Sequence, residues 1–141
     1  MSAPSRTMLS GLKFLVVDDE PDNIGVVVKL LTMLGGEVSA AENGNLGLEC
    51  ARTDQPDVIL ADLSMPVMSG WEMLYQLNQD PALKEIPVIA FTAHAMAGDR
   101  ERVLEAGFAS YISKPIDVPK FIPQLVSVLK NIPATAAHFA E

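Results

Sequence analysis

PDVILADLSMPVMSG, residues 56–70, is the stretch on which the fold of this chain turns. Val58, Ile59, Leu60 and Ala61 form an apolar run after Asp57, and the run stops abruptly at Asp62. A short run of this kind reads as a strand buried on both faces, as in a parallel sheet. Asp62 then stands at the carboxyl end of the strand, the edge along which open α/β sheets bind ligands. Pro66 and Gly70 mark the following residues as a loop. An acid delivered by a rigid strand to the mouth of a crevice is well placed for chemistry. The plainer readings of Asp62 are a solvated strand-end aspartate or the N-cap of the next turn.

Working outward, the same pattern repeats. Lys13–Asp18 (KFLVVD) reads as a first buried strand. Pro21 and Asp22 open a helix whose apolar positions Ile24, Val27, Val28, Leu31 and Leu34 keep helical spacing, and Gly35-Gly36 stops it. Glu37–Ala41 is a short strand, Asn43-Gly44 a turn, and a second helix runs on to Thr53. After the central strand come a helix at 70–78, a strand at 87–91 ending at Thr92, a polar helix at 98–106, a strand at 110–113 ending at Lys114, and a helix capped by Asp117 that reaches about Lys130. Pro123 lies inside this last helix and is expected to kink it. Residues 1–11 read as a loose leader and 132–141 as a mobile Ala-rich tail, leaving one domain over 12–131. Strands alternating with helices mean a parallel sheet covered on both faces. Right-handed crossovers make this a doubly wound three-layer sandwich with five strands and five helices.

Composition narrows the function classes. The 141 residues are 49% hydrophobic, enough for a real core. No apolar stretch approaches the roughly 18 residues of a membrane span. The first eleven residues lack the apolar segment of a secretory signal. The single cysteine, Cys50, cannot form an internal disulfide, which fits a reducing, cytoplasmic setting. A net charge of −8 offers no cationic footprint for nucleic acid. No membrane or nucleic-acid partner is expected.

In the doubly wound topology the strand ends carry Asp18 and Asp19, Asp62, Thr92 and Lys114. Each has an ordinary explanation: the aspartate pair could cap the first helix, Thr92 could be a plain strand residue, Lys114 a solvated loop lysine. Their coincidence at four strand ends favours a site. Converging carboxylates repel unless a divalent cation joins them, and Mg²⁺ suits a few carboxylates with waters and phosphate oxygens. A hydroxyl and an ammonium opposite them suit an anion. These are the parts that move a phosphoryl group, and a carboxylate can itself be the nucleophile, giving an aspartyl-phosphate.

The chain at this point resembles the receiver domain of response regulators in two-component signalling. VVDDE at 16–20, LADLSMPVMSG at 60–70, FTA at 91–93 and SKP at 113–115 match the family's motifs in order, and the resemblance covers about residues 12–131. It implies a flavodoxin-like sheet of order 2-1-3-4-5. It implies that Asp62 is the phosphoacceptor, that Asp19 ligates Mg²⁺ directly and Asp18 mainly through water, and that the backbone carbonyl of Ser64 completes the metal site. Thr92 becomes the hydroxyl that moves to the phosphoryl group, with small Ala93 leaving room for it. Lys114 becomes the phosphate-binding lysine, and Tyr111 the aromatic whose rotamer follows phosphorylation. His94 and Ser64 stand where the family tunes the lifetime of the phosphoryl group. The implied partners are a histidine kinase or histidine phosphotransfer domain and a downstream protein target, with the chain a monomer or a weak phosphorylation-dependent dimer. Such a protein is no ordinary enzyme, although it catalyses its own phosphorylation and dephosphorylation. Alternatives are a receiver excised from a hybrid kinase, a pseudo-receiver that is never phosphorylated, and a small aspartyl-nucleophile phosphatase, whose DxDx[TV] motif is replaced here by DDEPD.

Two further expectations concern detail. Lys114-Pro115 is expected to be cis, because X–Pro bonds adopt cis at low cost and Lys114 must turn into the crevice. With the first helix burying its core positions, Val26 and Met33 project opposite and Leu30 lies on the flank. This apolar stripe is expected to dock the phosphodonor.

Overall fold

The computed structural model describes residues 8–92 and 99–139. Five parallel strands alternate with helices: β1 Lys13–Val17, α1 Pro21–Met33, β2 Glu37–Ala41, α2 Gly44–Asp54, β3 Val58–Asp62, α3 Gly70–Asn78, β4 Val88–Thr92, α4 Asp99–Ala106, β5 Ser110–Ser113 and α5 Val118–Lys130. The sheet order is β2-β1-β3-β4-β5, as expected. Every residue of β3 and β4 is buried, which is why both read as unbroken apolar runs.

Successive residues of each strand serve opposite faces. Phe14, Val16, Val58, Leu60, Ile89 and Phe91 meet Val27 and Leu31 of α1 and Phe121, Leu125 and Leu129 of α5. Leu15, Val17, Ile59, Ala61 and Ala90 meet Leu48 and Ala51 of α2, Met73 and Leu77 of α3 and Val103 of α4. Each such fully buried Leu, Ile or Phe contributes about 1.5–3 kcal/mol. In α1 only Val27 and Leu31 are fully buried; Ile24, Leu30 and Leu34 are half-buried against the same layer.

Two expectations need correction. The residues after Lys130 do not trail away. A sixth helix, α6 Pro133–Ala136, and a 3₁₀ turn, Ala137–Phe139, fold back onto the core. Ile132 is buried, Phe139 packs beside it, and the buried Thr135 hydroxyl donates to the carbonyl of Leu129 at 2.7 Å. The leader is tied down too: Leu9 is fully buried, its N–H donates to the Leu34 carbonyl at 2.9 Å, and His138 Nε2 lies 2.9 Å from the Met8 carbonyl oxygen. The packed unit therefore includes residues 8–11 and 132–139. Helix α5, in turn, continues as one element through Pro123. Pro119 occupies the first turn, where a missing N–H leaves no bond unmade, and Pro123 faces solvent one turn later, so only one intrahelical bond is lost.

Candidate functional site

The register brings the polar strand ends level. Val17 pairs with Ala61, so Asp18 and Asp62 each lie one residue further along. Asp62 pairs with Phe91 and Thr92 with Ser113, which staggers Thr92 and then Lys114 by one step each. Asp18, Asp62 and Thr92 are all buried, whereas Asp19 is exposed. Oxygens of Asp18, Asp19 and Asp62 lie within 4.8 Å of one another. Lys114 Nζ sits between them, 3.0 Å from Asp18 Oδ2 and 3.2 Å from Asp62 Oδ2. The backbone N–H of Lys114 donates to the Thr92 carbonyl at 2.7 Å, and the Lys114-Pro115 bond is cis, as expected.

Local chemistry holds the acids in place. Asp18 Oδ1 accepts the Glu20 N–H at 2.9 Å, and Asp62 Oδ1 accepts the Ser64 N–H at 3.2 Å. The loop after Asp62 is anchored at its far end by Gly70. Its N–H donates to the Leu63 carbonyl at 3.0 Å, and a Cβ there would collide with the backbone oxygen of Asp62. Ser69 and Glu72 then form a reciprocal capping box that starts α3. Between these anchors Val67 has φ 72°, and the Met68 N–H donates to the Pro66 carbonyl at 2.7 Å, a γ-turn bond.

Burial pushes the Asp62 carboxyl above its ordinary value; the charge of Lys114 and the Ser64 N–H oppose this, and Asp18 adds to it. For Lys114 burial works the other way, but the close approach and charge of Asp18, with the charge of Asp62, outweigh it and raise the ammonium. The crevice is thus a cluster of three carboxylates with one ammonium between two of them. Asp18 Oδ2 is buried with no aligned hydrogen bond despite its contact with Lys114. An under-coordinated buried carboxylate oxygen beside two further carboxylates fits a hard, oxygen-seeking divalent cation such as Mg²⁺.

A match to the family described as response regulator receiver domain spans residues 14–126. The chain belongs to the response-regulator receiver family. It is 43% identical over 115 residues to the polar-differentiation response regulator DivK of Brucella anthropi, across 82% of this chain and 94% of that protein. The receiver fold is similar to that of the chemotaxis response regulator CheY4 of Vibrio cholerae, with TM-score 0.78, 28% identity, and 84% and 98% of the two chains covered. It is also similar to the receiver domain of the sensor histidine kinase PA1611 of Pseudomonas aeruginosa, whose structure has a magnesium ion coordinated in the active-site cleft. There the TM-score is 0.73 and the identity 31%, over 84% and 97% of the chains.

Of the expected receiver site, Asp18, Asp19, Asp62 and Lys114 converge directly, Thr92 borders them, and the Ser64 backbone adjoins Asp62. Ala93 and His94 lie outside the described residues. Tyr111 is half-buried on β5, and the Arg100 guanidinium of α4 stands over its ring at 5.9 Å. On α1, Val26 is 38% and Met33 60% exposed, while Leu30, on the flank, is half-buried against the core layer. Two residues near the site were not singled out from sequence. Glu20 Oε1 lies 3.8 Å from Lys114 Nζ, and its place directly after the aspartate pair was a usable signal. Phe91 lies beneath the same ammonium at 5.2 Å, a role that a buried strand phenylalanine does not announce.

Proposed function

We propose that this chain is a phosphoacceptor switch that takes a phosphoryl group from a phosphohistidine onto Asp62 in the presence of Mg²⁺. The observation that carries this reading is the convergence of three carboxylates and one buried lysine on a single crevice at the carboxyl edge of the sheet. An Asp62 oxygen attacks phosphorus, the P–N bond breaks, and the departing imidazole nitrogen keeps the electron pair. Mg²⁺, held by Asp19, Asp62 and the Ser64 carbonyl, and by Asp18 mainly through water, would neutralise charge on the transferring oxygens. Lys114, already 3.2 Å from Asp62, is placed to pair with the new phosphoryl oxygens. The Thr92 hydroxyl then donates to the phosphoryl group and vacates space for the ring of Tyr111. This biases a surface formed by α4, β5 and α5 toward its target. Attack by water at the phosphorus of the acyl phosphate breaks the bond to the Asp62 oxygen, releases inorganic phosphate and resets the switch, so the chain takes part in catalysing both its phosphorylation and its dephosphorylation.

The donor is a histidine kinase or a histidine phosphotransfer domain, and the target a downstream protein. The test is a transfer profile, offering the purified protein with Mg²⁺ to autophosphorylated kinases and phosphotransfer domains. Rapid appearance of a base-labile acyl phosphate on Asp62 is expected, and no labelling by any donor or by acetyl phosphate rejects the reading. A narrower expectation concerns the exposed residues of α1. Changing Val26 and Met33 together to Asp should slow transfer from the fastest donor about tenfold, equivalent to about 1.4 kcal/mol of lost docking. Acetyl-phosphate labelling should be nearly unchanged, since neither side chain is in the core or the crevice. Transfer at the wild-type rate would remove the two residues from the donor interface.

A further inference from the structure

Among the described residues, three carboxylates lie within salt-bridge reach of the Lys114 ammonium: Asp18 at 3.0 Å, Asp62 at 3.2 Å and Glu20 at 3.8 Å. The first two also belong to the acidic group that fits a divalent cation, and Glu20 does not. The side chains of Lys114, Asp18 and Asp62 are nearly buried, whereas that of Glu20 is 64% exposed. A divalent cation and an ammonium repel each other too strongly to share the same two carboxylate oxygens. Once Asp18 and Asp62 turn to a cation, Lys114 has one carboxylate left, and it stands where the crevice meets water.

The side chain of Glu20 is placed for this and does little for its own helix. Glu20 is the N-cap of α1, a position that favours Ser, Thr, Asp or Asn, whose short side chains reach the N–H groups of the first turn. Glu20 makes no such bond. Instead Asn23 Nδ2, three residues on, donates to Glu20 Oε1 at 3.1 Å, and this is the oxygen that faces Lys114. Asn23 is neutral, so it orients the carboxylate without matching its charge. The Glu20 N–H donates to Asp18 Oδ1 at 2.9 Å, which ties the backbone of Glu20 to one of the acids that holds the ammonium.

Resting on the reading of the crevice as a Mg²⁺ site, we propose that Glu20 is a positioning residue for Lys114. It receives the ammonium that leaves Asp18 and Asp62 when Mg²⁺ binds, and it holds that ammonium at the crevice until phosphoryl oxygens arrive. A carboxylate waiting at this point lowers the cost of displacing the ammonium, so Glu20 strengthens Mg²⁺ binding without touching the ion. It also keeps Lys114 from swinging into solvent, from which its side chain would have to be ordered again before pairing with the transferred group. An ordinary acid at a helix N-terminus would act by charge alone, and any acid in that place would serve. The role assigned here depends on reach as well.

The test is calorimetric titration of Mg²⁺ into the full chain carrying Glu20→Gln or Glu20→Asp, each with Lys114 intact and with Lys114→Met. Aspartate keeps the charge and is the better N-cap, but its carboxylate stops one methylene short of the ammonium. Glu20→Asp is therefore expected to melt, without metal, at or above the wild-type temperature. Mg²⁺ affinity should nevertheless fall about three- to fivefold in both variants, the scale of a partly exposed ion pair. With Lys114→Met in place, Glu20→Asp should leave the affinity unchanged, because the residue it acts through is gone. Wild-type affinity in Glu20→Asp beside a loss in Glu20→Gln would show charge alone at work and overturn the proposal. An equal loss from Glu20→Asp with and without Lys114 overturns it too, as does a Glu20→Asp protein that melts below wild type, which would place the effect in α1. If the wild-type chain takes up no Mg²⁺, the metal-site reading has failed and the proposal falls with it.

Discussion

Asp62→Asn is expected to abolish labelling by acetyl phosphate and by every phosphohistidine donor, and at neutral pH to raise the melting temperature of the metal-free protein. The first effect follows from removing the nucleophile while keeping its shape. The second follows from the site's electrostatics. Burial holds the Asp62 carboxyl above its ordinary value despite Lys114, so folding favours the protonated form relative to the unfolded chain. A carboxyl raised in the folded state penalises folding at pH above its folded value, where it must be ionised. The penalty fades as pH falls through that value toward the ordinary one of the unfolded chain. The neutral amide bears no such penalty and can still accept the Ser64 N–H. Melting curves in EDTA should therefore separate the variant from wild type at pH 7 and converge as pH approaches about 4. A variant less stable than wild type at pH 7 would mean that the pairing of Asp62 with Lys114 outweighs its burial.

The central part of this behaviour is legible in the sequence because it depends on strand ends. Runs such as VILAD and VIAFT declare doubly buried strands, and in a parallel sheet their last residues must share one edge. Asp18, Asp62, Thr92 and Lys114 could be placed together on that ground alone. What escaped has a different physical character. The segment after Lys130 has no apolar period, since it is held by single anchors: Ile132, the Thr135 hydroxyl on a helix carbonyl, and Phe139. The γ-turn at Val67 is invisible because a valine gives no hint of positive φ. The place of Arg100 over Tyr111 depends on how α4 lies against β5, a tertiary relation that a short polar helix leaves open.

The lysine has the largest expected effect on stability. Lys114 is the cation that the metal-free crevice places between Asp18 and Asp62, and its side chain is largely buried with theirs. Lys114→Met keeps an unbranched apolar side chain of nearly the same length but removes the ammonium and leaves two buried carboxylates facing each other. Removing one partner from a buried ionic cluster costs about 3–5 kcal/mol; the edge of the crevice is open to water at Asp19 and Glu20, so the lower end, roughly 3 kcal/mol, is expected here. Because the ammonium is raised above its ordinary value, its contribution is constant from acid to neutral pH and would be lost only as pH rises through that raised value. Any recovery of the variant in acid must therefore come from protonation of the unpaired carboxylates. A divalent cation should achieve the same recovery at neutral pH. The melting-temperature deficit of Lys114→Met should be large in EDTA and mostly erased by millimolar Mg²⁺. Mg²⁺ should also bind the variant more tightly than wild type, because it no longer competes with an ammonium for the Asp18 and Asp62 oxygens. The measurement is a pair of Mg²⁺ titrations followed by thermal melting. An equal deficit with and without Mg²⁺ would show that Lys114 contributes packing rather than charge, and would remove the ion-for-ammonium exchange on which this account of the crevice rests.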